Sequence, residues 1–402
     1  VMDRDFNVDL VKDYKEEEFL SDQVNNSGHQ FYKWCQNLCR GRSEDGTGWV
    51  FNQDKFKSLS SGFGYLLHRY WNDYKVVILV DENIQEGAAN GRTGKSVVLD
   101  DGLSHALNSV SIDAGELSKR GNKNNFIFNF VRPSTQFISF DDAREDFDFS
   151  CLFSKITGTL TCNAKYGGII HFGKKDKPKM GISSNHAILG NGSSYVDRQH
   201  IVEVGDFYRF NKMELGKSPS QFHGGWLFDE DWSDENWKEF DAFLAYSLLY
   251  YLKEGLLGGR TSNNYGYRKL VASVGSTSLV NVLQRFLDES ECGVTYYQKY
   301  VKEMGEDLKD LCLDEYVNMH LSEEDHSLKH LHTSLHSVAD HFGYGVNRGK
   351  KVRPQKRFGP NKVGVNSYSI NPPNKPFGSG VDDSSKEDQI DEDTLKLFED
   401  LD

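Results

Sequence analysis

A glycine-rich segment that ends in Lys and Ser carries the strongest chemical signal in the sequence. It comprises Asn90, Gly91, Arg92, Thr93, Gly94, Lys95 and Ser96. The backbone N–H groups of such a loop surround a triphosphate, a lysine contacts the β- and γ-phosphates, and a hydroxyl ligates Mg²⁺. Ala89 replaces the first glycine of the full pattern GxxxxGKS/T. We predict that this segment binds ATP, with Lys95 on the phosphates and Ser96 on Mg²⁺.

Two further segments place carboxylate and amide groups directly after apolar runs. Asp141 and Asp142 follow the run 137–140, and Asn185 ends the run 179–185. Hydrolysis of a γ-phosphate needs a metal anchor and a group that orients the attacking water. We assign the metal to Asp141, the base to Asp142, and water positioning or phosphate sensing to Asn185. Taken alone, the asparagine would be interpreted as an ordinary turn residue.

Cationic side chains follow in two places. Arg198 comes shortly after the asparagine segment, where an arginine can project into the nucleotide of a neighbouring subunit and stabilise transition-state charge. Without the other motifs, it would be interpreted as a surface ion-pair residue. Residues 159–177 contain four lysines among aromatic side chains, and this mixture suits a single DNA strand bound by its backbone and base faces. These lysines are Lys165, Lys174, Lys175 and Lys177. A solvated lysine-rich turn is the alternative for any one of them.

The elements that must position these residues follow from hydrophobic patterning. The run 75–80 reads as a buried parallel strand before the glycine loop, and a helical pattern starts at Lys95. Apolar runs at 126–131, 136–140 and 179–185 predict further strands. Alternation of strands and helices predicts an α/β fold with a three-layer core.

Composition sets outer limits on function. The chain has 402 residues, a length that predicts two or three domains. Its formal net charge of −13 argues against a protein that coats duplex DNA over its whole surface. Cys35 and Cys39 are spaced like half of a zinc site that has no second half, so we interpret them as reduced thiols.

No signal peptide is visible, and no apolar run approaches the ~20 residues of a membrane span. We therefore expect a cytoplasmic protein with no membrane partner. A start at Val1 is compatible with a fragment of a longer polypeptide.

The motifs between about Lys75 and Tyr208 resemble, in order and spacing, superfamily 3 helicases, and among them the primase-helicase ATPases of phages and bacterial mobile elements. The resemblance implies an AAA+-like P-loop core that forms a homo-oligomer, usually a hexamer, around single-stranded DNA in the host cytoplasm. It also implies that residues 159–177 form a hairpin that grips this strand, and that a primase or another replication protein is a partner. Gln199 stands where a second arginine often follows, and the sequence contains no primase motif.

The flanks complete a five-region organisation. We predict a helical N-terminal region at 1–70, the ATPase core at 71–210, a helical extension at 211–260, a C-terminal helical region with a basic hairpin at 261–375, and an acidic tail at 376–402. The N-terminal region could form an oligomerisation collar, and the basic hairpin predicts a small winged-helix-like module or, equally, a basic linker. The alternatives to a helicase are another P-loop motor, for DNA packaging or protein remodelling, and a non-enzymatic DNA- or partner-binding protein.

Overall fold

A computed structural model of the protein describes most of the chain. The described residues are 14–21, 30–43, 45–82, 91–117, 127–164, 168–190, 192–230, 232–258, 263–292, 294–300, 306–321, 327–348 and 367–372. They belong to two compact units, Val1–Ala272 and Ser273–Asp402. Three sequence predictions lie outside the described residues, namely those for Asn90, for Lys165 and for the acidic tail.

The first unit alternates helices and strands along most of its length. Its elements are α1 (Glu16–Phe19), α2 (Gln30–Leu38), β1 (Arg40–Arg42), β2 (Trp49–Phe51), α3 (Gln53–Leu66), β3 (Val76–Asp81), α4 (Leu103–Ala106), β4 (Ser109–Asp113), β5 (Phe137–Ala143), α5 (Phe153–Thr157), β6 (Leu160–Ala164), β7 (Gly168–Phe172), β8 (Lys179–Ser184), α6 (Ser193–Val196), β9 (Gln199–Val204), α7 (Phe207–Leu215), α8 (Pro219–His223), α9 (Asp234–Glu254) and the start of α10 (Asn263–Val274). A π-helical stretch, Val97–Gly102, precedes α4.

A five-stranded sheet with the order β4-β5-β8-β3-β9 forms the centre of this unit. Every neighbouring pair in it is parallel. The carboxyl ends of β3, β5 and β8 therefore lie at one edge, with the asparagine strand β8 between the strand of the glycine loop and the strand of the two acids. The predicted α/β fold with parallel strands is confirmed.

Side chains of β3 alternate between two hydrophobic cores, because successive residues of a strand point to opposite faces. Val77 and Leu79 pack with residues of α2, α3 and α9. Ile78 and Val80 pack with residues of β5, α5 and the β6–β7 hairpin. All six residues of the strand are buried, which explains why its sequence is a continuous apolar run rather than an alternating one.

The structure corrects one sequence prediction and adds detail in two other regions. Residues 127–130 form turns and not a strand. The polar region 100–125 contains the edge strand β4, of whose five residues only Ile112 is buried, and the edge position explains the weak apolar signal. The region 1–70, predicted to be mostly helical, also contains the antiparallel hairpin β1–β2.

In its described residues, the second unit combines three α-helices and a 3-10 helix, Glu306–Leu311, with a small antiparallel sheet. Its elements are α11 (Thr277–Asp288), β10 (Thr295–Tyr297), α12 (Leu313–His320), α13 (Leu328–Phe342), β11 (Gly345–Arg348) and β12 (Ser367–Asn371). The strand order is β10-β12-β11. β11 pairs antiparallel with β12, within the region 261–375 for which the sequence predicts a basic hairpin.

No single helix among the described residues is long and apolar enough to cross a bilayer. The two helices Tyr265–Val274 and Thr277–Asp288, which are bent relative to each other, reach the required length and composition only when they are counted together.

Candidate functional site

The predicted chemical residues meet at the carboxyl edge of the parallel sheet. The glycine loop follows β3 in the chain, and a helix begins at Lys95. Lys95 therefore faces the carboxyl end of β3. Asp141 and Asp142 lie at the end of β5, and Asn185 directly follows β8. Sequence separation is large, but parallel strands bring these groups to one edge.

Lys95 is buried at this edge and contacts three polar groups. Its Nζ donates to the carboxylate of Asp81, to Thr93 Oγ1 at 3.0 Å and to Asn185 Oδ1 at 2.9 Å. Burial lowers the pKa of Lys95, and the Asp81 carboxylate opposes that shift. The ammonium group is therefore held by oxygen acceptors that a phosphate could replace.

Asp81 is the residue of this group to which sequence reasoning gave no role. It is the last residue of β3 and is only 1% exposed. One carboxylate oxygen accepts from both Lys95 and Thr93, the latter at 2.6 Å, and the other has no hydrogen-bond partner among the described residues. The signal that could have identified it is an acid directly at the end of the apolar run 75–80.

Ser96 and Asp141 lie together on the open side of the loop. Ser96 Oγ donates to Asp141 Oδ1 at 2.9 Å, and Ser183 Oγ donates to the same oxygen at 2.6 Å. Hydroxyl and carboxylate oxygens are the hard ligands that Mg²⁺ takes, usually one or two from the protein with the remainder from phosphates and water. The donor set at this position therefore fits Mg²⁺.

A β-bulge turns both acids towards the loop. β5 contains one residue more than β8 over the stretch Phe140–Ala143, and Asp142 has a φ of 52°. Consecutive side chains of a regular strand point to opposite faces, whereas a bulge redirects one of them. As a result Asp141 contacts Ser96, and Asp142 Oδ1 accepts from Asn185 Nδ2 at 3.1 Å.

The glycine loop needs its glycine at position 94. Gly94 has a φ of +94°, and a Cβ there would lie 2.8 Å from the indole nitrogen of Trp34. Trp34 stacks on Tyr208 with ring centroids 4.4 Å apart, so it cannot move away easily. Arg92 also has a positive φ of 73°. This conformation is rare for residues other than glycine, and such strained positions cluster at ligand-binding sites.

Arg268 on α10, which lies outside the predicted ATPase core of residues 71–210, contacts the same edge of the sheet. Its Nη1 donates to the backbone carbonyl of Asp81, and its Nη2 donates to Glu203 Oε1 at 2.9 Å. Both side chains of the pair are largely buried. An arginine on a helix far along the chain carries no local sequence signal, and sequence reasoning therefore missed it.

Arg198 does not join these residues. The carbonyl oxygen of Arg198 accepts a hydrogen bond from Val76 N at 2.9 Å, so Arg198 lies beside the start of β3. The six residues of β3 rise about 3.3 Å each, which places Arg198 roughly 20 Å from the glycine loop. Its guanidinium donates to Ser194 O at 2.8 Å and lies 4.8 Å from the ring centroid of Phe153. Within one subunit, Arg198 and Lys95 are therefore at opposite edges of the sheet.

The lysine-rich segment forms an antiparallel hairpin of β6 and β7. Lys174 and Lys175 are exposed in the turn after β7, and the tip with Lys165 lies outside the described residues. Lys177 is different, since it is only 1% exposed and donates to the carbonyls of Lys155, Ile156 and Gly158. This placement removes Lys177 from an exposed surface and leaves Lys174 and Lys175 there.

Comparison with known proteins adds little to this geometry. No protein-family model matches the chain, and no curated protein matches it. Two solved structures of the C-terminal region of NrS-1, in its A-form apo state, align with 85% of this chain and 75% of that chain, at 12% and 11% identity and a TM-score of 0.40. A likeness of this size is too small to indicate a fold or a function.

Proposed function

We propose that this chain is an ATP-dependent DNA helicase of the superfamily 3 type, a ring-forming motor that moves along single-stranded DNA. The observation that carries the proposal is the meeting of Ser96 and Asp141, 2.9 Å apart, beside the buried Lys95. A hydroxyl and a lysine from the glycine loop, together with a carboxylate from a distant strand, are what an ATP–Mg²⁺ complex requires. The alternative, a lysine and a serine in a surface loop, does not explain this convergence.

Each group has a distinct task in hydrolysis. Mg²⁺, held by Ser96 and Asp141, would neutralise charge on the β- and γ-phosphates of the substrate ATP. Lys95 would exchange its contacts with Asp81 and Thr93 for phosphate oxygens. Asp142 would accept the proton of the attacking water, and Asn185, which already donates to Asp142, would orient that water.

The position of Arg198 restricts the role that we propose for it. Because it lies at the opposite edge from its own glycine loop, it can act only on a nucleotide bound by a neighbouring subunit. Mixing two inactive variants tests this assignment. Lys95→Ala and Arg198→Ala should each abolish turnover, and their mixture should recover part of it at interfaces that combine intact residues. A mixture as inactive as either variant, under conditions where both assemble, would remove the role of Arg198.

The hairpin supplies the proposed contact with DNA. Lys174 and Lys175 are exposed at its base, and Ile169 on β7 is 62% exposed. Exposed cations beside an apolar strand suit a single-stranded backbone with bases against it. The finer description of the fold belongs to the same proposal: an AAA+-like core in the first unit and a winged-helix-like second unit.

The direct test is ATP hydrolysis with and without single-stranded DNA. We expect DNA-stimulated turnover that disappears in Lys95→Ala. In Lys174→Ala/Lys175→Ala, basal turnover should persist while the DNA concentration for half-maximal stimulation rises several-fold and depends less on salt. Turnover that DNA does not change, in assembled wild type, would contradict the helicase proposal while leaving an ATPase.

Protein remodelling is a second candidate, favoured by one observation. The exposed Ile169 lies on the hairpin that would face the pore, and an apolar pore residue is suited to gripping an unfolded polypeptide. Stimulation by a denatured protein instead of DNA, lost in Ile169→Ser but retained in Lys174→Ala/Lys175→Ala, would favour that function.

A further inference from the structure

Two ion pairs are buried side by side at the carboxyl edge of the parallel sheet. The first joins Lys95 to Asp81 at the end of β3, and the second joins Arg268 of α10 to Glu203 of β9. The strands β3 and β9 are neighbours in the sheet, and all four side chains are at most 11% exposed. Each of these charges therefore depends on a partner in the protein and not on water.

Arg268 is placed to contact both carboxylate residues. Its Nη2 donates to Glu203 Oε1 at 2.9 Å, and its Nη1 donates to the backbone carbonyl of Asp81. The guanidinium thus already touches the residue whose carboxylate holds Lys95. Because a guanidinium has several N–H donors in a fixed fork, one arginine can bind two carboxylates at the same time.

One polar atom on each of the two touching residues has no partner. Asp81 Oδ2 and Arg268 Nε are both buried, and neither makes a hydrogen bond among the described residues. Burying a donor or an acceptor without a partner costs free energy, so such atoms call for an explanation. These two have the charges of an ion pair, and their contact is not made while Lys95 is bound to the other oxygen of Asp81.

Binding of ATP at the glycine loop would disturb this arrangement. Under the function proposed above, Lys95 leaves Asp81 for the phosphates. Asp81 is only 1% exposed, so water could not replace the lysine, and the carboxylate would be left as a buried charge without a cation. That state opposes nucleotide binding unless a second cation takes the place of Lys95. Arg268 is a cation already in contact with Asp81.

We propose that Asp81 is a positioning residue that exchanges Lys95 for Arg268 when nucleotide binds. In the nucleotide-free protein, Asp81 holds Lys95 and so lowers the affinity for phosphate. In the nucleotide-bound protein, the guanidinium of Arg268 pairs with the carboxylate of Asp81 and keeps its contact with Glu203. The inference rests on the proposed binding of ATP by Lys95. It adds that two residues outside the glycine loop set how tightly ATP binds.

Calorimetric titration of the full chain with Mg²⁺ and the slowly hydrolysed analogue ATPγS tests the hold on Lys95. Asp81→Asn should lower the Kd by about 10-fold, because Lys95 is no longer held away from the phosphates. Glu82→Gln is the matched control, since it makes the same charge change at the next residue, whose carboxylate pairs with Lys55. It should change the Kd by less than about twofold. An equal Kd for Asp81→Asn and wild type would overturn the proposal.

A double-mutant cycle tests the replacement by Arg268. Arg268→Gln should raise the Kd by at least ~10-fold, because Asp81 then has no cation once Lys95 contacts phosphate. The lost contact with Glu203 is the same with and without nucleotide and does not enter the Kd. In the Asp81→Asn background, the same substitution should change the Kd by less than about twofold, since a neutral amide needs no cation. Equal weakening in both backgrounds would overturn the exchange.

Arg268→Lys keeps the test independent of variants that lose a buried charge and with it the fold. It retains a cation, so its Kd should stay within about threefold of wild type; a Kd raised as far as in Arg268→Gln would overturn the role of the charge. Failure of the proposed function has a different result. Neither wild type nor Asp81→Asn would then bind the analogue, which would overturn both proposals, whereas failure of the exchange alone leaves binding by the wild type intact.

Discussion

The two edges of the parallel sheet each bury lysine side chains, but in different surroundings. At the carboxyl edge, Lys95 is held by the oxygens of Asp81, Thr93 and Asn185. At the amino edge, Lys179 has no hydrogen-bond partner among the described residues. The strand β8 connects the two environments, since Lys179 begins it and Asn185 follows its last residue.

Aromatic rings replace acceptors at the amino edge. The Nζ of Lys179 lies 3.3 Å from the ring centroid of Tyr65 and 5.0 Å from that of Trp71. Lys177 lies 4.3 Å from the same Trp71 ring and in addition caps the carbonyls at the end of α5. Ring faces attract cations, but they carry no oxygen acceptor that an incoming phosphate could replace.

Under the function proposed above, the difference separates a functional buried charge from a structural one. Lys95 is paired with a carboxylate, and in the proposed mechanism it would exchange this contact for one with a phosphate, which its burial among oxygen acceptors allows. Lys177 and Lys179 serve packing, because their surroundings are backbone carbonyls and rings. Substitution of Lys95 should therefore abolish activity, whereas substitution of Lys177 or Lys179 should change stability alone.

The largest effect is expected for Lys95. Lys95→Ala should reduce ATP turnover by about 10²–10³-fold, as for the loss of one charge-stabilising donor. It should also destabilise the fold by about 3 kcal/mol, because Asp81 is left as a buried unpaired charge. Phosphate release and urea denaturation measure the two effects.

The double variant Lys95→Ala/Asp81→Asn separates them. A neutral amide can still accept from Thr93, so stability should return to within about 1 kcal/mol of wild type while turnover stays lost. Recovery of turnover in the double variant would show that Lys95 acts through folding and has no contact with phosphate.

A smaller effect is expected for the glycines of the loop. Gly94→Ala should destabilise the protein by about 1–3 kcal/mol, because of its left-handed backbone and the contact of the added Cβ with Trp34. Gly91→Ala is the matched control, since Gly91 has no positive φ and its Cβ would lie 3.6 Å from Asn185 Nδ2, an ordinary contact. Urea midpoints and ATP affinity of the two variants should differ; equal values would mean that the loop adapts at Gly94.

Sequence reasoning reached the carboxyl edge more readily than the amino edge for a physical reason. Phosphate chemistry demands particular residue types next to strand ends, and so the positions of Lys95, Asp141 and Asn185 could be predicted. The bulge that turns Asp142 inward, and the burial of Lys177, depend on pairing register and on contacts distant in sequence. A lysine in a polar segment has the same sequence signal whether it is solvated or buried under Trp71.

The smallest effects, at the amino edge, should have opposite signs for two neighbouring lysines. Lys177→Met should destabilise the fold by about 1–3 kcal/mol, because the carbonyls that Lys177 caps lose their donor. Lys179→Met should leave stability unchanged or raise it, because methionine fills a similar volume and needs no partner.

The pH dependence of the Lys179 variant gives the sharper test. Burial lowers the pKa of Lys179 from its ordinary 10.5 to about 6, with Lys177 adding to the shift and Asp73 opposing it. Between these values the unfolded chain binds more protons than the folded one, so the cost of burying Lys179 is greatest below pH 6 and decreases as the pH rises towards 10.5. The stability of Lys179→Met relative to wild type should therefore be highest near pH 6.5 and decline by up to about 1 kcal/mol per pH unit towards pH 9.

The neighbouring His68 does not interfere with this measurement. Burial, with Lys179 adding to it, lowers the pKa of His68 to about 4, so folded His68 titrates below the range from pH 6.5 to 9. A difference between variant and wild type that is constant from pH 6.5 to 9 would mean that Lys179 remains protonated against the rings, and that the aromatic faces compensate fully for the missing acceptors.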